Sequence, residues 1–550
     1  MSDGGPQHAS DSAGGRPPPA AIATLVRRSL LRYSPAIILV VIAVADAGRY
    51  ADPDLWGHLL AGGAILRTGH MMTRDPYSYT ALNHPWYDHE GLAELLMACA
   101  WSAGGVVGLK LMKFLCSAAT IILLALGEAE TGSPETLQFA ILIATAVALG
   151  PQLQFRPQLF TFIFLAATLA LLARENYRGR APLWLLIPLF AVWSLSHGGF
   201  VVGLALLMLY TAITAISDYL QGHSLRRTLR LTIITASSAL ATLIIPGGVR
   251  NWHAVYLTLR NPMTHGLVQE WQPLITVMMM NHASGHSALT LYVLILGLMA
   301  AFAIAFLLSP RGGDLPLVAI AALMIAGAFF SVRNMALAVI AIAGPLARHV
   351  DLVLAQWRAS PVPRESGASA GDTIADAALR RPSPRLWWIN QFVLTVVAIL
   401  VLAMTGLFSP RLGEAIGYPA GALAFMRSNG LHGNILSDFN WGEYVIYHSA
   451  PGSKVFIDSR YDLVYPPAVV RDYIDFYLGT PGADRVLAAW PHDFVLITPD
   501  SPAGKIMAGR ADWKLIYRDQ YSLLFARAGS PAALASATPV IAKAPPSYFP

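Results

Sequence analysis

Unbroken apolar stretches constrain this chain more than any other feature of its sequence. Runs of Ala, Leu, Val and Ile recur along the first 408 residues, and several approach the roughly 20 residues that cross a bilayer as a helix. Only 13% of all residues are charged, whereas soluble domains carry roughly 25%. This excludes a soluble enzyme, a disordered chain and a fibrous repeat. A transmembrane β-barrel would alternate apolar and polar residues, so the sequence predicts an α-helical polytopic membrane protein.

The apolar stretches predict about eleven membrane spans. The apolar segment 90–105 is not counted among them, because it is short and begins with His89, Glu90 and Glu94; it is predicted to lie at the membrane interface. The predicted spans are 34–48, 106–127, 135–150, 157–173, 182–196, 200–218, 229–246, 287–308, 316–331, 334–350 and 388–408.

The first predicted span leaves two interpretations. Ala43-Val44-Ala45 could serve as a signal-peptidase site, which would make 34–48 a cleaved signal. An uncleaved anchor is favoured, because the acidic segment that follows belongs next to a membrane. The residues before it, 1–33, are rich in Gly, Pro, Ser and Arg and are predicted to form a disordered basic tail.

The basic residues predict the orientation. With the N-terminus inside, 17 of the 38 Lys and Arg residues lie in or beside inner segments, and 7 lie on the outer side of the membrane domain. Cytoplasmic loops carry such an excess. The sequence therefore predicts a cytoplasmic N-terminus and, with an odd number of spans, a C-terminal domain outside the membrane.

Three regions follow from the spans. The tail 1–33 precedes a membrane domain, 34–408, which contains a first outer loop (50–105) and a cytoplasmic linker rich in Pro, Ser, Ala and Arg (351–387). Residues 409–550 form the outer soluble domain.

The outer domain has a different pattern from the membrane domain. Short apolar segments at 454–458 and 494–498 alternate with helical stretches, and 513–519 with 521–527 are typical of a hairpin. The pattern predicts a small α/β domain.

Acidic and histidine side chains are concentrated in the first outer loop. Carboxylates at a bilayer surface can act as general bases or, together with imidazoles, hold a divalent metal. The Asp-Pro-Asp triplet alone also fits an ordinary solvated turn, and a second acidic cluster at the end of the loop argues against that simpler interpretation. The candidates are Asp52, Asp54, His58, Asp88, His89 and Glu90.

Polar residues at the outer ends of later spans add to this side of the membrane. Arg156 and Arg333 could bind a lipid phosphate through paired N–H donors, although capping and snorkelling at the interface explain such arginines equally well. His197 lies between a serine and two glycines, where a purely structural histidine is the simpler alternative. Glu270 and Trp271 lie in the long 247–286 loop.

Several short blocks together resemble a known family. Asp-x-Asp-x-Trp-x-His is followed by Asp-Pro-Tyr-Ser-Tyr-Thr and by Pro-Trp-x-x-His-Glu-x-Leu in the first outer loop. Arg-Pro-Gln at 156–158, His-Gly-Gly-Phe at 197–200, Glu270-Trp271, Asn-Trp-Gly-Glu-Tyr at 440–444 and Val-Phe-Ile-Asp-Ser-Arg at 455–460 come after them in order. The set, which spans about 34–528, resembles uncharacterised bacterial multi-spanning proteins of the GT-C glycosyltransferase superfamily.

The resemblance implies a fold, an activity and a set of roles. GT-C enzymes take a sugar from a polyprenyl-phosphate or polyprenyl-diphosphate donor on the outer leaflet, with an acidic residue of the first outer loop at the centre of the site. By position, Asp52 or Asp54 would deprotonate the acceptor hydroxyl with inversion at the sugar carbon, supported by a second acid or a metal. The residues that would support the base or hold a metal are Asp88, His89, Glu90 and His58. Those that would bind the donor phosphate are Arg156 and Arg333. Those that would contact the sugar or the acceptor are His197, Glu270 and Trp271.

One departure from the family bears on the donor. No Glu-Lys-Pro-Pro block like that of the aminoarabinose and mannosyl transferases is present, and His89-Glu90 lies at roughly its place. The expected partners are a polyprenyl-phosphate sugar, a glycan, lipid or protein acceptor and the bilayer of a bacterial inner membrane, with no nucleic acid. A divalent metal is the one cofactor the sequence suggests.

Two other classes of function remain as alternatives. A transporter or flippase would place charged residues near the bilayer midplane, often in two related halves. The candidate charges here lie at outer helix ends and no half-repeat is evident, which disfavours transport. A non-catalytic scaffold for envelope polymers is the third alternative. The enzyme hypothesis requires Asp52 or Asp54 to lie within about 10 Å of Arg156 or Arg333, around one outward-facing cavity.

Overall fold

The computed structural model describes residues 50–261, 268–283, 289–310, 312–359, 406–414, 416–536, 538–545 and 548–549. The predicted tail 1–33, the first span 34–48, most of the linker and nearly all of the last span 388–408 lie outside these residues.

Helices form the membrane domain, and each predicted span within the described ranges coincides with one. Their apolar runs are bounded by glycine, proline and charged residues, which is why the sequence located them. The helices are α1 Leu55–Thr68, α2 Gly91–Ala129, α3 Glu135–Leu149, α4 Gln158–Arg178, α5 Leu186–Ser196, α6 Phe200–Leu220, α7 Arg226–Ile244, α8 Gly248–Arg260, α9 Leu274–Ala283, α10 Leu289–Leu308, α11 Leu315–Phe330 and α12 Met335–Ala359.

The structure does not confirm eleven spans. Among the described residues, five helices are long and apolar enough to cross a membrane, or six if α7 and α8, which meet at a 95° bend, are one broken span. Several predicted spans form shorter helices instead, such as the 15 residues of α3 and the 16 of α11. The sequence count failed because an apolar run marks burial, in lipid or in protein, and does not by itself give a helix of spanning length.

The segment predicted to lie at the interface is the first part of α2. It is separated from the apolar remainder of the helix by a kink, where Gly104 and Gly105 leave helical geometry and Gly105 has a φ of 55°. Only glycine adopts this conformation readily. A Cβ on Gly108 would also overlap the carbonyl oxygen of Ala100 across the bend. The predicted boundary at residue 105 therefore coincides with the kink, and the position of the first part relative to a membrane stays a prediction.

The C-terminal domain is the predicted α/β unit. Its six-stranded sheet has the order β4-β3-β5-β7-β6-β8, with parallel pairing of β3 to β4 and β5 and an antiparallel β6–β7 hairpin, as expected from the sequence. The strands are β3 Asn434–Ser437, β4 Lys454–Val455, β5 Phe494–Ile497, β6 Trp513–Arg518, β7 Leu523–Arg527 and β8 Val540–Ile541. The helices are α13 Ala420–Ser428, α14 Gly442–Ser449, α15 Pro467–Tyr477, α16 Ala483–Ala489, α17 Pro502–Ala508 and α18 Pro531–Ala535.

A small second sheet joins the C-terminal segments to the first outer loop. Its central strand β2 (Leu412–Glu414) pairs in parallel with β1 (Tyr50–Ala51) and antiparallel with β9 (Tyr548–Phe549). Beside it, Trp56 of α1 is fully buried among aromatic rings of the C-terminal domain, 5.0 Å from Tyr444 and 4.3 Å from Phe549 between ring centroids. Burial of large aromatic side chains contributes on the order of 1.5–3 kcal/mol each, so the first loop is held firmly against this domain.

Candidate active site

The Asp-Pro-Asp triplet lies between β1 and the N-terminus of α1. The Asp52 carbonyl accepts the Leu55 N–H at 3.0 Å, and its side chain accepts the Asp54 N–H, also at 3.0 Å. This local turn places both carboxylates side by side at the positive end of the α1 dipole, which favours negative charge.

Arg156 joins the triplet to two distant segments. Its Nε lies 2.8 Å from Asp52 Oδ1 and its Nη2 3.1 Å from Asp54 Oδ2, while Nη1 pairs with Glu270. Three carboxylates thus surround one planar guanidinium. The resulting ion-pair network fixes the loop 50–54 against the segment before α4.

Burial and neighbouring charge act in opposite directions on these acids. Burial, reinforced by Asp54, raises the pKa of Asp52 to about 6 despite the opposing effect of Arg156. For Glu270, burial also favours the neutral form, but Arg156 and Arg333 outweigh it and lower its pKa. The network therefore contains one carboxyl that is readily protonated and one that stays charged.

Arg333 lies in the turn between α11 and α12, on the far side of Glu270. Its Nη1 is 3.7 Å from Glu270 Oε2, and its guanidinium lies 5.2 Å from the Trp271 ring centroid. With 29% of its side chain exposed, against 19% for Arg156, it faces the cavity more openly. We call these five residues, Asp52, Asp54, Arg156, Glu270 and Arg333, the arginine half of the site.

A second cluster lies beside the first, where α1 faces the N-terminus of α2. His58 Nδ1 is 3.0 Å from Glu94 Oε1 and 3.9 Å from Glu90 Oε2, and Glu90 and Glu94 share a helix face because they are four residues apart. Burial alone would raise the pKa of Glu90, but the surrounding histidines and Arg333 lower it. Burial raises the pKa of Asp88, which accepts the Glu90 N–H at 2.9 Å.

His197 completes this cluster from the turn between α5 and α6. Its Nδ1 accepts the Gly199 N–H at 3.0 Å and lies 2.8 Å from the Thr161 hydroxyl, whose oxygen accepts the Trp193 indole N–H. Burial lowers the pKa of His197 to about 3, so the ring is neutral. Its Nε2 faces the cavity, 3.7 Å from Glu90 Oε1 and 3.3 Å from the Nη2 donor of Arg333.

Glycine is required in this turn for space. A Cβ on Gly199 would approach Thr161 to 2.5 Å, and one on Gly198 would come within 3.1 Å of His89 Nε2. We call His58, Asp88, His89, Glu90, Glu94 and His197 the histidine half of the site.

Both halves open into one cavity of about 280 Å³. Ten of the predicted residues line it, and Asp52 lies behind Arg156, 8% exposed. Asp54, Arg156 and Arg333 therefore line the same cavity, and Asp54 contacts Arg156 directly. The ten are Asp54, His58, Asp88, His89, Glu90, Arg156, His197, Glu270, Trp271 and Arg333.

The opposite wall of the cavity was missed as a site in the sequence. Glu443 of α14 lines it, accepts the Gly57 N–H at 3.0 Å and accepts the Ser459 hydroxyl. Burial, with Asp54 nearby, raises the pKa of Glu443 well above its usual range. Asp462 accepts the Thr258 hydroxyl of α8 at 2.6 Å, and burial raises its pKa. In the sequence, the blocks at 440–444 and 455–460 were the features that could have indicated this wall of the cavity.

Arg460 of the same wall is a structural clamp. It binds Asp458 through two nitrogens at 2.8 and 2.6 Å, lies 3.0 Å from Asp75 of the first loop, and stacks on Trp86 at 4.6 Å. The guanidinium is thus paired with an acid from each of two segments. Arg460 therefore holds the first loop to the C-terminal domain.

The histidine half contains the donors of a metal site. One ligand atom from each of His58, Glu90 and Glu94 lies within 4.8 Å of the other two. Glu94 Oε2 and His89 Nδ1 are buried without a hydrogen-bond partner. Mixed imidazole and carboxylate donors suit Zn²⁺ or Mn²⁺, so these residues fit a divalent ion.

Solved structures provide the comparison for this arrangement. Archaeal oligosaccharyltransferase AglB from Archaeoglobus fulgidus, in complex with an inhibitory peptide and a dolichol-phosphate, is similar with a TM-score of 0.54 at 12% identity, over 85% of this chain and 70% of that one. Its apo form gives 0.53 at 11% identity, over 92% and 75%. The chain has the GT-C fold.

The similarity in fold to these proteins is not accompanied by a match in sequence. ArnT from Cupriavidus metallidurans in the apo state aligns over 95% of this chain and 99% of that one at 13% identity, with a TM-score of 0.40. No family model and no curated protein matches the sequence. The fold expected from the sequence blocks is confirmed by the similarity to AglB.

Proposed function

We propose that the protein transfers a sugar from a polyprenyl-phosphate donor to an acceptor hydroxyl at the outer face of the bacterial inner membrane. The observation that best supports this function is the arginine half of the site. Two aspartates at a helix N-terminus are joined there through Arg156 and Glu270 to Arg333, beside one open cavity. AglB, which has the same fold, is described in complex with a dolichol-phosphate, and this supports a lipid-phosphate donor.

Asp54 is the proposed base. Its side chain is 29% exposed and lines the cavity, whereas Asp52 is buried behind Arg156. In the proposed step, Asp54 takes the proton of the acceptor hydroxyl, and the acceptor oxygen forms a bond to the anomeric carbon. The bond from that carbon to the phosphate oxygen breaks with inversion, and the polyprenyl phosphate leaves with the electron pair.

Arg333 is the proposed seat of the leaving phosphate. Arg156 already contacts three carboxylates, so it has little capacity left for a substrate anion and serves to hold Asp52 and Asp54 in place. Arg333 contacts Glu270 at 3.7 Å and His197 Nε2 at 3.3 Å, and neither contact pairs it with a carboxylate at hydrogen-bond distance. Fixed donors aimed at developing charge stabilise a transition state more than water does.

His58, Glu90 and Glu94 would hold a divalent cation if the enzyme requires one. A bound cation would add positive charge beside the phosphate. His197, Glu270 and Trp271 remain the proposed contacts for sugar or acceptor, and Asp88 and His89 support the metal ligands from behind. An orientation with the cavity outside and the N-terminus in the cytoplasm is part of the proposal.

A carrier-lipid comparison tests the function. A strain lacking the protein is complemented with wild type, Asp54→Asn or Asp500→Asn, a matched change at an exposed acid of the C-terminal domain. We expect a polyprenyl-linked sugar to accumulate with the empty strain and with Asp54→Asn, and to disappear with the other two. Membrane expression of each variant is measured by immunoblotting. Equal carrier-lipid profiles in all four strains would contradict the proposal.

A further inference from the structure

The N-terminus of α1 is capped in an unusual way. Asp54 occupies the N-cap position, where an aspartate ordinarily accepts the N–H of the second or third helical residue. Here its side chain makes no such hydrogen bond, and its backbone is in the helical region (φ −77°, ψ −11°) rather than the extended region typical of an N-cap. The carboxylate points instead to Arg156, 3.1 Å away.

The missing cap is supplied from elsewhere in the chain. Glu443 Oε2 accepts the N–H of Gly57, the third residue of α1, at 3.0 Å, although the two residues are 386 positions apart. The second oxygen of Glu443 is held by the Ser459 hydroxyl, and the side chain is 6% exposed. A helix amide that Asp54 would otherwise satisfy is therefore satisfied by the C-terminal domain.

Gly57 is necessary for this exchange. A Cβ on Gly57 would overlap all three terminal atoms of the Glu443 carboxyl group. Glycine is a poor helix former compared with alanine. Its presence here is explained by the close approach of a side chain from another domain.

We propose that Glu443 is a positioning residue that replaces Asp54 as the cap of α1 and thereby leaves the Asp54 carboxylate free for chemistry in the cavity. This inference rests on the proposed function for its catalytic consequence and on the hydrogen bonds for its geometry. It also assigns a task to the C-terminal domain: that domain sets the position of the aspartate at the reacting centre.

In the competing state, Asp54 would cap its own helix. Without Glu443, the Gly57 N–H lies unsatisfied beside the cavity, and Asp54 is the nearest carboxylate of its own turn. Rotation of Asp54 onto that N–H would satisfy the helix but withdraw the base from Arg156. A displacement on the order of 1 Å at a reacting group costs about 10²-fold in rate.

Three variants test the exchange. Glu443→Ala removes the cap, Gly57→Ala displaces it while improving helix propensity, and Glu443→Gln keeps an acceptor oxygen for Gly57 and an amide for Ser459. We expect kcat to fall about 10²-fold in the first two variants and to stay within about threefold of wild type in the third. KM for the carrier-linked sugar is expected to stay nearly constant, since none of the changes removes a proposed phosphate contact.

The double variant Gly57→Ala/Glu443→Ala separates positioning from general damage. Because both changes remove the same interaction, the double variant is expected to be no slower than either single variant. Asp519→Asn is the matched control, a buried acid of the same domain whose partners are Tyr521 and Ser522. It is expected to change the melting temperature and not kcat. Additive losses in the double variant, or an inactive Glu443→Gln, would overturn the proposal.

An experimental structure of Glu443→Ala tests the geometry without any assay. We expect an Asp54 carboxylate oxygen within hydrogen-bond distance of the Gly57 nitrogen. An Asp54 that keeps its contact with Arg156 in this variant would overturn the inference. If wild type transfers no sugar but Asp54 rotates in the variant, the proposed function fails and the capping exchange stands.

Discussion

The two halves of the cavity differ in how their charges are compensated. In the arginine half, each carboxylate has a guanidinium partner, and Arg156 alone contacts three of them. In the histidine half, the ion-pair partners within 4 Å of Glu90 and Glu94 among the described residues are histidines, and Asp88 lies beside Glu94. The first half is a network built around permanent arginine charges, which fixes geometry. The second is an incomplete one that can accept a cation or protons.

Removing Arg156 is expected to have the largest effect of all on the stability and activity of the arginine half. Arg156→Met would leave Asp52 uncompensated in a buried position, and losing one partner of a buried ion pair costs about 3–5 kcal/mol. We expect sugar transfer to fall at least about 10³-fold, with a large drop in melting temperature measured by intrinsic fluorescence.

Two further arginine variants serve as controls. Arg156→Lys keeps one charge but not the three-way fork, and should retain intermediate stability. Arg518→Met, at the exposed end of β6, should behave as wild type. A stable and active Arg156→Met would show that the network is dispensable.

Loss of a metal ligand is expected to lower metal affinity in the histidine half, whereas a change in the arginine half is not. Glu94→Gln is expected to weaken Mn²⁺ or Zn²⁺ binding by about 10–100-fold, because it removes or reorients a ligand. Isothermal titration of the purified protein, after treatment with a chelator, measures this directly. Glu270→Gln, in the arginine half, should leave metal affinity unchanged. Equal affinities in wild type and Glu94→Gln would place any metal elsewhere.

A pH effect on stability should arise from Asp52 in the arginine half. Burial raises the pKa of Asp52 from 3.8 to about 6 in the folded protein, so the folded state binds its proton more tightly than the unfolded state does. Its stabilising contribution is therefore complete below about pH 4 and lost as the pH rises to about 6. We expect a loss of about 1–3 kcal/mol across this range.

Thermal unfolding of wild type and Asp52→Asn between pH 4 and 7 measures that loss. The asparagine still accepts the Asp54 N–H but has no proton to release. The difference between the two melting curves should consequently change with pH in this window, with wild type losing more stability as the pH rises. A constant difference would refute a raised pKa for Asp52.

The smallest effect on activity is expected for Thr161, which contacts His197 from behind the histidine half. Thr161→Val removes the hydroxyl beside His197 Nδ1 and the acceptor of the Trp193 N–H. Two hydrogen bonds are lost, but only the one to His197 bears on the site, and its loss corresponds to roughly 1 kcal/mol, or a fivefold decrease in kcat/KM. Thr168→Val on the same helix, whose hydroxyl bonds only to the Phe164 carbonyl in the described contacts, is the control. Equal effects of the two substitutions would exclude a role for Thr161 in orienting the His197 ring.

Local signals made the membrane-domain side of the site predictable. Asp52, Asp54 and His58 are close in sequence, and Arg156, His197 and Arg333 each follow an apolar run, so chain position alone placed them at helix ends on one side. The positions of the helices were predictable for the same reason. Spanning length was not, because the apolar runs of α3 and α11 are too short to decide between lipid and protein as their surroundings.

The C-terminal wall could not be predicted as a site for a different reason. Glu443 acts on Gly57 across 386 positions, and a single sequence gives no information on which distant segments meet. Arg460 ends the block at 455–460 and Asp462 lies two residues beyond it, and the sequence pattern indicated a site role for neither. Both line the cavity in the structure.

The three-stranded sheet of β1, β2 and β9 has a consequence for biosynthesis. Strand β1 is made early, whereas β2, which pairs with β1, and β9, which pairs with β2, follow the predicted membrane domain in the sequence. Domains generally fold in the order of synthesis, so the aspartate loop stays without its supporting strands throughout insertion. A nascent chain thus carries its reactive carboxylates in an unassembled form, and truncated products released early are expected to be embedded in the membrane yet inert.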